Sequence, residues 1–412
     1  MLTIISKRMD YKFLRAFFFF SVCVISVSAQ NTSNPKLDSL IHKRLFYYET
    51  KGFKGEGWDS LKAEIKKAQV ILIGEQHGEA EIPVFTMKLA EVFKPKALVV
   101  EIDPYTAEQV KKVSQNPPAY SNYFKQHPYG LAFYSYETEM ELARQMVLAK
   151  TDIWGLNEIN FLSLGTFFNT LAGKAKSPAN KQLAHNKAIA YANHDRSIYK
   201  NIDRYSDFIA YQLKTSMVDS LLRSFSNESD ASKKMLRDLK SSLPIFANTS
   251  YEARTDLMKK NLLNYLAPYI TKDAIDIPKL LFKFGANHVS RTNDLKGFFE
   301  VGNLADNLAG ASGKQSLHIL IFGKTGTYNQ MAPMDNSLAI KPYDVSTDKD
   351  LDMFTPFYSQ VKGNEWAFFD LRPLREAIAE GKLKVSPDLR GFIKSFDVLV
   401  IFGQTTGNRF IE

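Results

Sequence analysis

Short apolar runs, rich in β-branched and aromatic residues, recur along the chain between longer stretches with helical spacing. They fall at residues 69–73, 97–102, 152–156, 280–284, 317–322, 366–370 and 396–402. Strands that are apolar at nearly every position, rather than at every second one, are buried on both faces, as in a parallel sheet. Between the first two runs, EIPVFTMKLAEVFKPK carries its apolar residues at helical spacing, so residues 69–102 predict a βαβ unit with a right-handed crossover. The two strands of that unit are expected to be neighbours in the sheet. The fold class expected is α/β, a mostly parallel central sheet flanked by helices.

The pattern changes at about 160–270, which is helical in spacing, rich in Lys, Asn and Ser, and without a buried strand. ASKKMLRDLKSSL and YEARTDLMKKNLLNYL are its best helices. Because strands of the earlier character resume at Leu280, this segment reads as a helical insertion capping the carboxyl edge of the sheet and not as a second domain. Residues 324–350, rich in Thr, Asn, Asp and Pro, predict a long loop.

The N-terminus reads separately. Lys7, Arg8, Lys12 and Arg15 precede an apolar run over 16–27 that ends in Val27-Ser28-Ala29, a secretory signal pattern with cleavage expected before Gln30. That leaves residues 30–412 as a single exported domain, periplasmic or secreted, with no membrane attachment after cleavage. Residues 1–29 hold four of the positive charges and one negative, so the formal net charge falls from +9 to +6. The remaining lysines are scattered, which speaks against a nucleic-acid surface and leaves a small molecule as the expected partner. The only cysteine, Cys23, lies in the leader, so disulfides, thiolate metal sites and a cysteine nucleophile are excluded from the mature chain.

The candidate chemistry lies where strands end. VILIGEQHGEAEIP leaves the sheet at Gly74 and places Glu75 and His77 two residues apart, on one side of the chain. The next strand ends in Glu101-Ile102-Asp103, and LLFKFGANHVSR brings Gly285, Asn287, His288 and Arg291 to a third strand end. Ligands of open α/β sheets bind at the carboxyl edge, where these groups would converge. Two histidines with two carboxylates can hold and deprotonate a water, or instead ligate a divalent metal. Ordinary roles compete: Glu79 and Glu81 favour a helix N-terminus, Asp103 before Pro104 is a helix cap, and His42, His127, His185, His194 and His318 read as surface or core residues. Arg254 gains interest only if its helix brings it over the cleft. IFGKTGT lacks the first glycine of a phosphate loop, and no G-x-S-x-G elbow is present.

In order along the chain, ILIGEQHGEAEI, ALVVEIDP, WGLNE, YEARTDLMKKN, GANHVSR and FFDLR resemble the signposts of the erythromycin esterase-like proteins, over roughly residues 65 to 405. The resemblance implies an α/β fold with a helical cap and a metal-independent ester or lactone hydrolase without a cofactor. It implies His77 as general base with Glu75 beside it, Glu101 closing the second strand, His288 as the late histidine and Arg254 as the cap arginine. One departure stands out. A single residue, Gln76, separates Glu75 from His77, where erythromycin esterases place two. That G-E-x-H spacing is closer to the TraB/TIKI-like and ChaN-like proteins, which imply metal-dependent peptide hydrolysis and haem or iron binding respectively.

Overall fold

The computed structural model describes residues 34–198, 206–247, 250–294, 296–331 and 335–412. The predicted signal segment lies outside the described residues. Among them, no helix is long and apolar enough to cross a membrane.

One mixed sheet organises the chain. Its strands are β1 (Lys43–Glu49), β2 (Gly52–Lys54), β3 (Val70–Glu75), β4 (Ala97–Val100), β5 (Asp152–Gly155), β6 (Leu280–Gly285), β7 (Ser316–Asn329), β8 (Ile340–Asp344), β9 (Trp366–Asp370) and β10 (Val398–Thr405). They lie in the order β2-β1-β9-β10-β7-β3-β6-β4-β5, with β8 paired to β7 off that path. From β10 to β5 every pairing is parallel, whereas β9, β1 and β2 continue the sheet antiparallel. All seven runs read from the sequence are strands.

Two readings are corrected. Strands β3 and β4 are not neighbours, because β6 lies between them and pairs with both. Residues 324–350 are not one long loop: β7 continues through Asn329 and turns back as β8. This ribbon of Thr, Tyr and Lys lies at the margin of the sheet, where one side faces solvent and a buried apolar run is not required. Pro342 is tolerated in β8 because an edge strand has a side that needs no donor.

Alternation along the strands divides the core. Ile71, Ile73, Leu98, Val100 and Leu281 pack against the Glu56–Lys67, Glu81–Phe93 and Glu137–Leu148 helices on one face. Val70, Leu72, Val99, Phe282 and Phe284 pack against the Tyr251–Leu266 and Val301–Ala311 helices on the other. Between β5 and β6 the chain forms a run of helices from Leu164 to Leu266. Much of that run has a small core of its own, around Phe167, Phe168, Leu171, Leu236 and Leu239. Its last helix, Tyr251–Leu266, returns to the sheet through Met258 and Leu262.

Candidate active site

Parallel strands β3, β6 and β4 end on one edge, and the register puts Glu75 opposite Gly285. Glu75 follows Ile73 at a two-residue step, so it projects from the same face as the Ile71 cluster. Immediately beyond, Gly78 adopts φ +89°, a left-handed turn that a side chain would strain, and lies against the backbone of Asn329. Its carbonyl accepts hydrogen bonds from Asn329 N (3.1 Å) and Asn408 N (2.8 Å), which anchor the G-E-x-H turn.

His77 is therefore fixed. Its Nδ1–H donates to Glu75 Oε1 at 2.8 Å, its Nε2 lies 3.5 Å from Glu101 Oε2, and its ring stacks on Phe133 at 4.5 Å between centroids. A Cβ at position 285 would stand 3.0 Å from His77 Nε2, so any larger residue would press the imidazole out of place. Glu101 occupies the centre. Its Oε2 accepts from Gly285 N (2.9 Å) and its Oε1 from Arg254 Nη2 (2.9 Å), with His288 Nε2 3.4 Å away. Arg254 Nε reaches Asn157 (3.2 Å) and Glu158 (3.1 Å), and its Nη1 meets His288 Nε2 at 3.0 Å. Behind His288 stands Glu300, whose Oε1 accepts from the Tyr251 hydroxyl at 2.7 Å.

The five residues singled out from the sequence, Glu75, His77, Glu101, Arg254 and His288, thus meet in one cluster. Asp103 does not join them. It caps the Pro104–Val113 helix, accepting from Tyr105 N and Thr106 N at 2.9 Å each. Arg291 also lies elsewhere, in a bidentate pair with Asp397 at 2.6 and 2.8 Å. It lines a cavity of about 500 Å³ at the amino ends of β3 and β7, with Lys67, Asp306 and Arg372. Glu79 is buried and accepts from Gly323 N at 3.0 Å, while Glu81 accepts from Thr406 N at 2.9 Å. His318 is a fully buried core residue whose Nδ1 meets Val289 O at 2.7 Å. The sequence reading missed Lys283, Glu139, Glu300, Tyr251 and Phe133. Only Lys283 left a signal there, a lone charge in the apolar run LLFKFG.

These groups perturb one another. Burial disfavours charge on His77, yet Glu101 and Glu75 outweigh it and raise the ring to about 9. Burial likewise opposes charge on Glu101, but His288 and His77 hold that carboxyl well below its ordinary range. Against burial, Glu101 and Glu300 raise His288 to about 9. The arginine contact sets a limit on that charge. A guanidinium N–H can only donate, so Nη1 at 3.0 Å requires an unprotonated Nε2, with the ring proton on Nδ1. Nδ1 faces Glu300 Oε2 at 3.1 Å, off the line of a good hydrogen bond. Protonating Nε2 would displace the guanidinium, so the arginine contact opposes the two carboxylates that favour charge on His288, while His77 carries the imidazolium between two carboxylates.

Among the described residues, no group of three or more His, Cys, Asp or Glu side chains is arranged to hold an ion. The point where Glu101 and His288 converge is filled by the Arg254 guanidinium. The His77 and His288 side chains are 6% and 8% exposed and engaged with carboxylates.

The chain shares its overall fold with solved structures that include an erythromycin esterase. Three solved structures share it. A mutant of the erythromycin esterase EreC, in its open conformation, aligns at 12% identity with a TM-score of 0.53, over 90% of this chain and 100% of that one. A succinoglycan biosynthesis protein aligns at 12% identity and TM-score 0.52, over 93% and 100%. A Bacillus cereus protein solved by structural genomics aligns at 16% and 0.50, over 86% and 92%. At these identities the likeness establishes the fold alone. No protein-family model matches the chain, and no curated protein matches it by sequence.

Proposed function

We propose that this protein is an exported hydrolase that cleaves an ester or lactone with a water activated at His77. The observation that carries the reading is the placement of that imidazole at the strand mouth. Glu75 holds Nδ1–H, which leaves Nε2 of the neutral ring as the unprotonated, basic nitrogen at the strand mouth beside Gly285. In the reaction, neutral His77 takes a proton from water at Nε2 as the oxygen attacks the acyl carbon. The acyl C–O bond then breaks, and the same proton passes to the leaving alkoxide. Arg254 supplies positive charge for the developing oxyanion, and His288 positions the guanidinium from its far side.

The erythromycin esterase among the structural neighbours supports the reaction class. The guanidinium between Glu101 and His288 favours a metal-free route over the metal-dependent and haem-binding alternatives. Export rests on the leader pattern, and N-terminal sequencing of the mature protein is expected to begin at Gln30.

The function is tested with the purified mature protein on a panel of aryl esters and lactones, with and without a chelator, alongside elemental analysis and an absorption spectrum. Turnover that persists in chelator is expected. Activity lost to chelator and restored by a divalent ion would move the protein to the metallohydrolases. A Soret band that vanishes in His77→Ala would move it to the haem binders.

A further inference from the structure

Behind the G-E-x-H turn lies a buried charge cluster that the reaction does not touch. Lys283 sits on the central strand β6, opposite Ile73 and two register pairs back from Glu75 and Gly285, and faces the Ile71–Ile73 side of the sheet. An apolar residue is what the strand's pattern would place there. Instead the ammonium, 5% exposed, donates to Glu75 at 2.7 and 2.8 Å and to Glu139 Oε1 at 2.5 Å. Glu139 comes from the first turn of the Glu137–Leu148 helix, and its Oε2 is buried with no hydrogen-bond partner. A buried ammonium and two carboxylates contribute little net stability compared with well-packed apolar side chains of the same volume, so stability alone does not account for them.

What the cluster does to Glu75 is specific. A carboxylate that only met His77 would be free to swing; here both its oxygens lie within reach of Lys283, so its plane and its charge are fixed together. Burial pushes Glu75 toward neutrality, and Lys283 foremost, then His77, keep it ionised. Burial lifts Glu139 to about 7 against the pull of Lys283, so the second carboxyl adjusts its charge while Glu75 holds its own. The other groups facing this corner add no counter-charge: Phe133 is apolar, the buried Glu79 carboxyl is pushed well up by burial and then by Glu81 and Glu75, and the buried Tyr134 and Tyr136 phenols are held well above their ordinary range by burial and then by Glu139.

We propose that Lys283 and Glu139 are positioning residues, a buried ionic mount that fixes the Glu75 carboxylate and thereby locks the proton of neutral His77 on Nδ1. This deepens the reading of His77 as the base and rests on it for any effect on turnover, but the tautomer itself is measurable without a substrate. Free imidazole in water has no such lock and spreads its proton over both nitrogens.

The test is ¹⁵N NMR of histidine-labelled full-length mature protein, read above the pH of about 9 at which the ring becomes neutral. A His77→Asn sample assigns the signals. Wild type is expected to show His77 with its proton on Nδ1. The double variant Lys283→Met/Glu139→Leu fills the volume without charge and is expected to fold, because removing all partners together strands no buried ion except Glu75, which still faces His77. Its His77 is expected to shift to a mixture dominated by Nε2–H. Lys283→Arg, which keeps the charge, is expected to restore Nδ1–H, and Lys283→Gln, which keeps a donor alone, is not. If either neutral variant folds with His77 still protonated on Nδ1, the mount is overturned. A tautomer change without ester turnover in wild type would sink the hydrolase reading and leave the mount standing. Wild-type turnover with an unchanged tautomer would do the reverse.

Discussion

Replacing His77 with Asn is expected to lower ester turnover by about 10²–10⁴-fold while leaving the protein folded. The size follows from the role: asparagine keeps a polar group near Glu75 but cannot take a proton from water. The fold survives because neither carboxylate is stranded. Glu75 retains Lys283, and Glu101 retains Arg254 and the Gly285 N–H. A pH profile separates this from a binding defect. The resting imidazolium must lose its proton before it can act, so kcat/KM of the wild type is expected to rise with pH until His77 titrates near 9. His77→Asn is expected to abolish that rise. Unchanged turnover in the variant, or a wild-type profile flat across that range, would remove His77 from the chemistry.

Arg254→Met is the change expected to cost most stability, because it removes one cation from two carboxylates at once. Glu101 and Glu158 would both lose their guanidinium, and Glu101, at 6% exposed, cannot turn to water. Breaking a buried pair from one side costs about 3–5 kcal/mol. Turnover is expected to fall by about 10²–10³-fold through lost oxyanion stabilisation. Arg254→Lys should recover part of the stability and little of the turnover, since one ammonium cannot meet Glu101, Glu158, Asn157 and His288 together. Adding Glu101→Gln to Arg254→Met should return stability without activity. Urea melts and initial rates on the four proteins check this; a single Arg254→Met variant as stable and as active as wild type would sink it.

The legible parts of this protein are those where burial writes itself into composition. Strands β3, β4, β6, β7, β9 and β10 were readable because both their faces are covered, which forces near-continuous apolar runs. Strands β1, β2 and β8 lie at margins, and KRLFYYE and IKPYD mix charge with aromatics as margins permit. Four of the clustered residues, Glu75, His77, Glu101 and His288, were readable because strand ends at one edge share a location whatever the sheet order; Arg254, on a helix, was picked out only through the family resemblance. Their support was not. Glu139, Tyr251 and Glu300 come from helix starts far along the chain, and nothing local distinguishes them from the solvated acids and tyrosines around them. Strand order was illegible too: sequential strands are neighbours by default, and only the three-dimensional pairing of β6 reveals the exception.

That exception reaches into how the chain folds. As synthesis proceeds through Gly155, β3, β4 and β5 are present, but β3 and β4 are meant to stand two strand spacings apart, roughly 9–10 Å. The helices from Leu164 to Leu266 must emerge before β6 arrives to fill the gap. Until then β3 and β4 carry open, apolar edges on a nascent chain, the state in which strands pair wrongly or with other molecules. The strand that delivers Lys283, Gly285 and the approach to His288 is therefore also the one that joins β3 to β4, and the active cluster cannot exist before it arrives.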